Sequence, residues 1–128
     1  MPTAKLVVVI DDDRLTLDAM GGLLRGWGYS VVVAVSDDEA IERLNGRRPD
    51  MIISDYHLAE GKTGLQAIDR LRGAFTIPAM LITGNAAAAR AQAGRYPLLF
   101  KPLDPALLEQ ALDRAFQDRP ASKNDRPD

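Results

Sequence analysis

Met51-Ile52-Ile53-Ser54-Asp55 is the stretch on which the fold turns, an apolar run that ends on a single carboxylate. Three other runs also close on polar groups. Leu6-Val7-Val8-Val9-Ile10 ends at Asp11-Asp12-Asp13, Ala79-Met80-Leu81-Ile82 at Thr83, and Leu98-Leu99-Phe100 at Lys101-Pro102. Short, nearly continuous apolar runs of this kind suit strands covered on both faces. If they are parallel strands of one sheet, their polar ends emerge together at its carboxyl edge, where open α/β sheets bind ligands.

The intervening segments carry helical spacing. Leu17, Met20, Leu24 and Trp27 form one stripe, with Gly21 and Gly22 inside it. Each glycine there costs about 1 kcal/mol relative to alanine, so close packing is expected at both. Gly28 ends this helix and Ser30 to Val35 reads as the second strand. Ser36-Asp37-Asp38-Glu39 and Thr63-Gly64-Leu65-Gln66 are capping-box signatures that open the next two helices. Ala86 to Ala93 reads as a short alanine-rich helix and Pro97 to Phe100 as the fifth strand. Asp104-Pro105 starts a last helix, lined by Leu108, Ala111, Leu112 and Ala115. Strict alternation of five strands and helices predicts an α/β, doubly wound parallel sheet with right-handed crossovers. Residues 1–117 are expected to form one domain, and 118–128, polar with two prolines, a disordered C-terminal tail.

Composition narrows the function. Of 128 residues, 16 are basic and 18 acidic, giving a net charge of −2 without a basic stripe, which argues against direct nucleic-acid binding. No cysteine is present, which excludes disulfides, thiolate metal sites and a cysteine nucleophile. No apolar run approaches the ~18 residues of a membrane span. A signal-peptide pattern is interrupted at Asp11. No membrane contact and a cytoplasmic location are the expectation.

The strand ends carry the chemistry. Asp11 and Asp12 beside Asp55 supply the one or two carboxylates that a hard cation such as Mg²⁺ takes. The plainer alternative is that Asp11 to Asp13 simply begin a helix, where acids suit the positive dipole end. Asp55 can act as a nucleophile toward a phosphoryl donor, or can be an ordinary turn residue. Thr83 can donate its hydroxyl to a phosphoryl oxygen, although a threonine before glycine is usually a turn or cap. Lys101, a compact point charge between Phe100 and Pro102, suits an anionic partner. The Lys101-Pro102 bond is a candidate for the cis form. Each feature is ambiguous alone; their joint placement at four strand ends is not.

Over residues 4 to 117 the chain closely resembles the receiver domain of two-component response regulators. Asp11-Asp12, Asp55, Thr83, Ala93-Gly94 and Lys101-Pro102 carry the resemblance. It implies a flavodoxin-like (βα)5 fold with strand order 2-1-3-4-5. It also implies transfer of a phosphoryl group from a phosphohistidine to Asp55, in a domain that phosphorylates itself and slowly removes the phosphate. Mg²⁺ would be held by Asp12, Asp55, Asp11 through water, and the backbone carbonyl of His57, while Thr83 and Lys101 contact the phosphoryl oxygens. The implied partner is a histidine kinase or a histidine phosphotransfer domain, with a homodimer in some receivers.

Three features depart from the family pattern. Leu98 stands three residues before the lysine, where an aromatic is usual, so the familiar threonine-to-aromatic coupling is not expected. Thr83 to Lys101 spans eighteen steps, about four fewer than in common receivers, which is roughly one helical turn. The fourth helix should therefore be short. His57 is expected to be an exposed modulator of phosphate loss. The shortened fourth segment, Leu98 and the run 99–103 look similar to receivers at the C-terminus of hybrid sensor histidine kinases, the favoured parent over a stand-alone regulator. Three other classes compete: an interaction module that has lost phosphorylation, a flavodoxin-type flavin binder, disfavoured by carboxylates in the first loop, and an aspartate-nucleophile phosphate-ester hydrolase. His57 sits where such a hydrolase generally needs a second acid.

Overall fold

A computed structural model describes residues 4–73, 76–85, 87, 94 and 96–117. Its elements follow the alternation expected: β1 (Leu6–Ile10), α1 (Arg14–Gly26), β2 (Ser30–Ala34), α2 (Asp37–Leu44), β3 (Met51–Asp55), α3 (Gly64–Arg72), β4 (Ala79–Thr83), β5 (Leu98–Phe100) and α4 (Pro105–Gln117). Apart from residue 87, the expected alanine-rich helix Ala86 to Ala93 lies outside the described residues, as does the tail 118–128. The five strands form one parallel sheet in the order β2-β1-β3-β4-β5. This is the doubly wound arrangement read from the sequence.

Period-two alternation divides each strand between two cores. Val8, Ile10, Ile52 and Leu81 face a cluster closed by Ala40 and Leu44 of α2 and Ile68 of α3. Val7, Val9, Ile53 and Met80 face the opposite cluster, closed by Leu17 and Leu24 of α1 and Leu108 and Leu112 of α4. Full burial of each Leu or Ile contributes about 1.5–3 kcal/mol, so the two apolar faces, rather than helix propensity, fix the helices on the sheet.

Helix starts follow their caps, with one correction. Thr63 accepts from the Gln66 N–H and Gln66 returns the bond to the Thr63 N–H, a complete capping box. Ser36 accepts from the Glu39 N–H, but the Glu39 carboxylate accepts instead from Val35, one residue outside the expected pair. Gly21 has its packing reason, because a Cβ there would come within 3.3 Å of Val33 Cγ1. Gly22 does not: a Cβ would meet nothing within 4 Å.

Register sets up the site. Ile10 lies beside Ser54, Asp55 beside Ile82 and Thr83 beside Phe100. Asp55 and Thr83, expected just after their strands, are instead the last residues of β3 and β4. The Tyr56 N–H donates to Ile82 O at 2.8 Å, so the backbone on both sides of the Asp55 side chain is held in the ladder.

Candidate phosphoryl and cation site

The three acids after β1 have divided roles. Asp13 is the N-cap of α1, accepting from the Leu15 N–H and from the Thr16 hydroxyl. Asp11 is buried, and its Oδ1 accepts from the Asp13 N–H at 2.9 Å. Asp12 is exposed. The helix-start alternative thus accounts for Asp13 and leaves the other two acids for the site.

Asp11, Asp12 and Asp55 each offer a carboxylate oxygen within 4.8 Å of the others, a separation that fits ligands of one hard cation. The His57 ring is not part of that group; His57 is exposed and lies edge-on to the Tyr56 ring. Lys101 completes the cluster from β5. Its Nζ donates to Asp55 Oδ2 at 3.1 Å and lies 3.5 Å from Asp11 Oδ2, and its N–H donates to Thr83 O. The Lys101-Pro102 bond is cis, as anticipated.

Three clustered carboxylates, two of them paired with the one ammonium, leave an excess of negative charge. Burial, with Asp55 and Asp12 nearby, raises the Asp11 carboxyl above its usual range, although the Asp13 N–H and Lys101 act the other way. Burial lowers the Lys101 ammonium, but the hydrogen bond to Asp55 and the charge of Asp11 outweigh it and hold its pKa above the ordinary value. A bound divalent cation would relieve the carboxylate repulsion.

Thr83 takes its expected place in sequence but not in contact. Its hydroxyl is fully buried, accepts from the Asn85 N–H at 3.0 Å and lies 3.3 Å from Asn85 O. The structure therefore gathers Asp11, Asp12, Asp55 and Lys101, and keeps the Thr83 hydroxyl within its own turn. Leu98 packs against the α2/α3-side core beside Tyr96, whose hydroxyl accepts from Arg72. Next to the site, a cavity of about 350 Å³ runs between α1 and the turn after β5. Met20, Leu23, Ile53 and Leu103 line it, and Asp55 and Lys101 stand at its margin.

Gly64 is a site-shaping residue that the sequence reading placed only within a cap. A Cβ at Gly64 would strike the Asp55 carbonyl oxygen and come within 2.7 Å of Leu81 Cδ2. The first turn of α3 therefore approaches the end of β3 more closely than any side chain allows. A glycine directly after an N-cap threonine was the available signal.

Comparison with known proteins bears on the family and the fold. The family model for the response regulator receiver domain matches residues 7–113. The transcriptional regulatory protein ZraR of Salmonella typhi is 33% identical over 116 residues, covering 86% of this chain and 26% of the relative. This chain thus spans about a quarter of the length of that regulator. Chemotaxis protein CheY4 of Vibrio cholerae superposes with a TM-score of 0.77 at 26% identity, covering 88% of this chain and 99% of the other. The PhyR receiver domain of Erythrobacter litoralis, at 22% identity, shares the fold with a TM-score of 0.80 over 91% and 93% of the two chains.

Proposed function

This chain belongs to the response regulator receiver domain family, and from that premise we propose that Asp55 accepts a phosphoryl group from the phosphohistidine of a histidine kinase or histidine phosphotransfer domain. The observation that carries the reading is the Lys101 ammonium 3.1 Å from Asp55 Oδ2, with Asp11 on its other side.

In the transfer an Asp55 oxygen forms the new O–P bond while the P–N bond of the donor breaks, and the departing imidazole takes up a proton from solvent. Negative charge spreads over the equatorial phosphoryl oxygens in the transition state. Lys101 is placed to neutralise that charge, and in a site of buried carboxylates such neutralisation is worth far more than in water. The Thr83 hydroxyl joins by redirecting its proton from Asn85 O to a phosphoryl oxygen. Bound Mg²⁺, held by Asp12, Asp55 and the His57 backbone carbonyl and by Asp11 through water, would supply the remaining positive charge.

Asp55 is the nucleophile of one self-modification and, when water attacks the acyl phosphate and releases inorganic phosphate, the leaving group of its slow reversal, so the domain is a switch rather than a multiple-turnover enzyme. A cytoplasmic location and contact with a second copy belong to the same reading. The run Leu99-Phe100-Lys101-Pro102-Leu103 favours a hybrid histidine kinase as parent. A kinase core directly upstream in the parent gene would separate that from a free-standing regulator.

The test is incubation with a small phosphodonor and Mg²⁺, read by intact mass. One added phosphoryl group on the wild type and none on Asp55→Asn is expected. No mass change on the wild type would contradict the reading and favour a non-phosphorylated interaction module.

A further inference from the structure

The first turn of α2 carries Asp37, Asp38 and Glu39, and its acids reach cations at the start of α1, in the loop after β3 and in α3. Glu39 lies 3.4 Å from Arg14 at the start of α1. Asp37 lies 3.7 Å from Lys62, in the loop after β3, and 3.1 Å from Arg70 of α3, which also pairs with Asp38. Asp37 is almost fully buried, whereas Lys62 and Arg70 are about half exposed. Buried charge survives only where partners converge on it, and here they converge from two other elements.

The loop that Lys62 belongs to runs from Asp55 to Gly64 and is closed on itself. Leu58 N–H donates to Lys62 O at 2.9 Å, Gly64 N–H donates to Tyr56 O at 2.7 Å, and His57 pairs with Thr63. Its tip holds Glu60 at φ 62 and Gly61 at φ 75, a left-handed pair that is costly at the non-glycine position. Such a conformation persists only when its surroundings impose it. Leu58 anchors one side in the core, and the Lys62–Asp37 pair anchors the other.

We infer that Asp37 and Lys62 form a clamp that positions the 56–63 loop, and with it the His57 carbonyl, for cation binding at the Asp11-Asp12-Asp55 cluster. The inference rests on the Mg²⁺ reading of that cluster. Asp37 and Lys62 are positioning residues; neither touches the transferred group.

Charge alone predicts the opposite sign at Lys62, which makes the test sharp. Lys62 and Asp12 line one cleft, so removing the ammonium should, by charge alone, tighten Mg²⁺ binding. As a clamp residue, Lys62→Met should instead weaken Mg²⁺ binding roughly three- to tenfold by calorimetry. It should also speed amide exchange at 57–63 without changing exchange in β1 or β4, and Lys62→Arg should restore both. Tighter or unchanged Mg²⁺ binding with unaltered exchange at 57–63 overturns the clamp. If the wild type fails to bind Mg²⁺, the cation reading fails separately, and loop exchange in Lys62→Met still decides whether the clamp exists.

Discussion

Lys101 Nζ lies 3.1 Å from Asp55 Oδ2, joining the end of β5 to the end of β3 across the whole width of β4. The contact spans residues 46 apart in sequence. It makes the ammonium a structural counter-charge for the carboxylate and, on the proposed reading, a neighbour of the phosphoryl group that Asp55 accepts.

Lys101→Met should therefore split two measurements. Phosphorylation of Asp55 by a small donor should slow by about 10²-fold, the usual loss when one charge-stabilising donor is removed. Mg²⁺ binding should tighten, because a competing cation has left Asp11 and Asp55. Quench-flow phosphorylation and calorimetry, run on the same preparation, check both.

Two glycine substitutions should act in opposite directions. Gly64→Ala forces a methyl group against the Asp55 carbonyl and Leu81, and should cost about 1–3 kcal/mol while slowing phosphorylation. Gly22→Ala adds its methyl to open space in a helix and should stabilise by about 1 kcal/mol. Urea midpoints of the two variants and wild type test the contrast.

The strand ends and helix caps were legible because they depend on local pattern: apolar runs of β-branched residues, and hydroxyl-to-Gln spacing at Thr63. What stayed hidden was non-local. A glycine after Thr63 hints at a close approach, but nothing names Asp55 O as the atom that lies against it, and nothing in Asp37 names Lys62 and Arg70 as partners. Gly21 and Gly22 looked equivalent in sequence, yet only one faces Val33. The Thr83 position was readable, but its hydrogen bonding to Asn85 depends on a turn conformation that the residue types did not specify.

Asp11 should be a residue whose charge costs stability. Its carboxyl titrates above the ordinary 3.8 because burial penalises the ionised form. The cost is absent below that value and is incurred in full above the raised folded pKa. Asp11→Asn should stabilise the metal-free protein at neutral pH by on the order of 1 kcal/mol. It should also weaken the Mg²⁺-dependent rise in melting temperature shown by the wild type. Thermal melts with and without Mg²⁺ check this.

Asp37 has the opposite sign. Burial raises its carboxyl, but the Arg70 hydrogen bond and the Lys62 charge more than offset that, leaving it below the usual 3.8. Its contribution is present above that value and is lost as pH falls through the depressed folded pKa. Asp37→Asn should be less stable than wild type at neutral pH, and the difference should shrink as urea midpoints are followed below about pH 3.8.

The most direct test of the account is the position of the acyl phosphate itself. After treatment with a small phosphodonor and Mg²⁺, borohydride reduction should convert the phosphorylated aspartate to homoserine, and peptide sequencing should find it at position 55 alone. Homoserine at another acid, or phosphorylation without any reducible acyl phosphate, would contradict it.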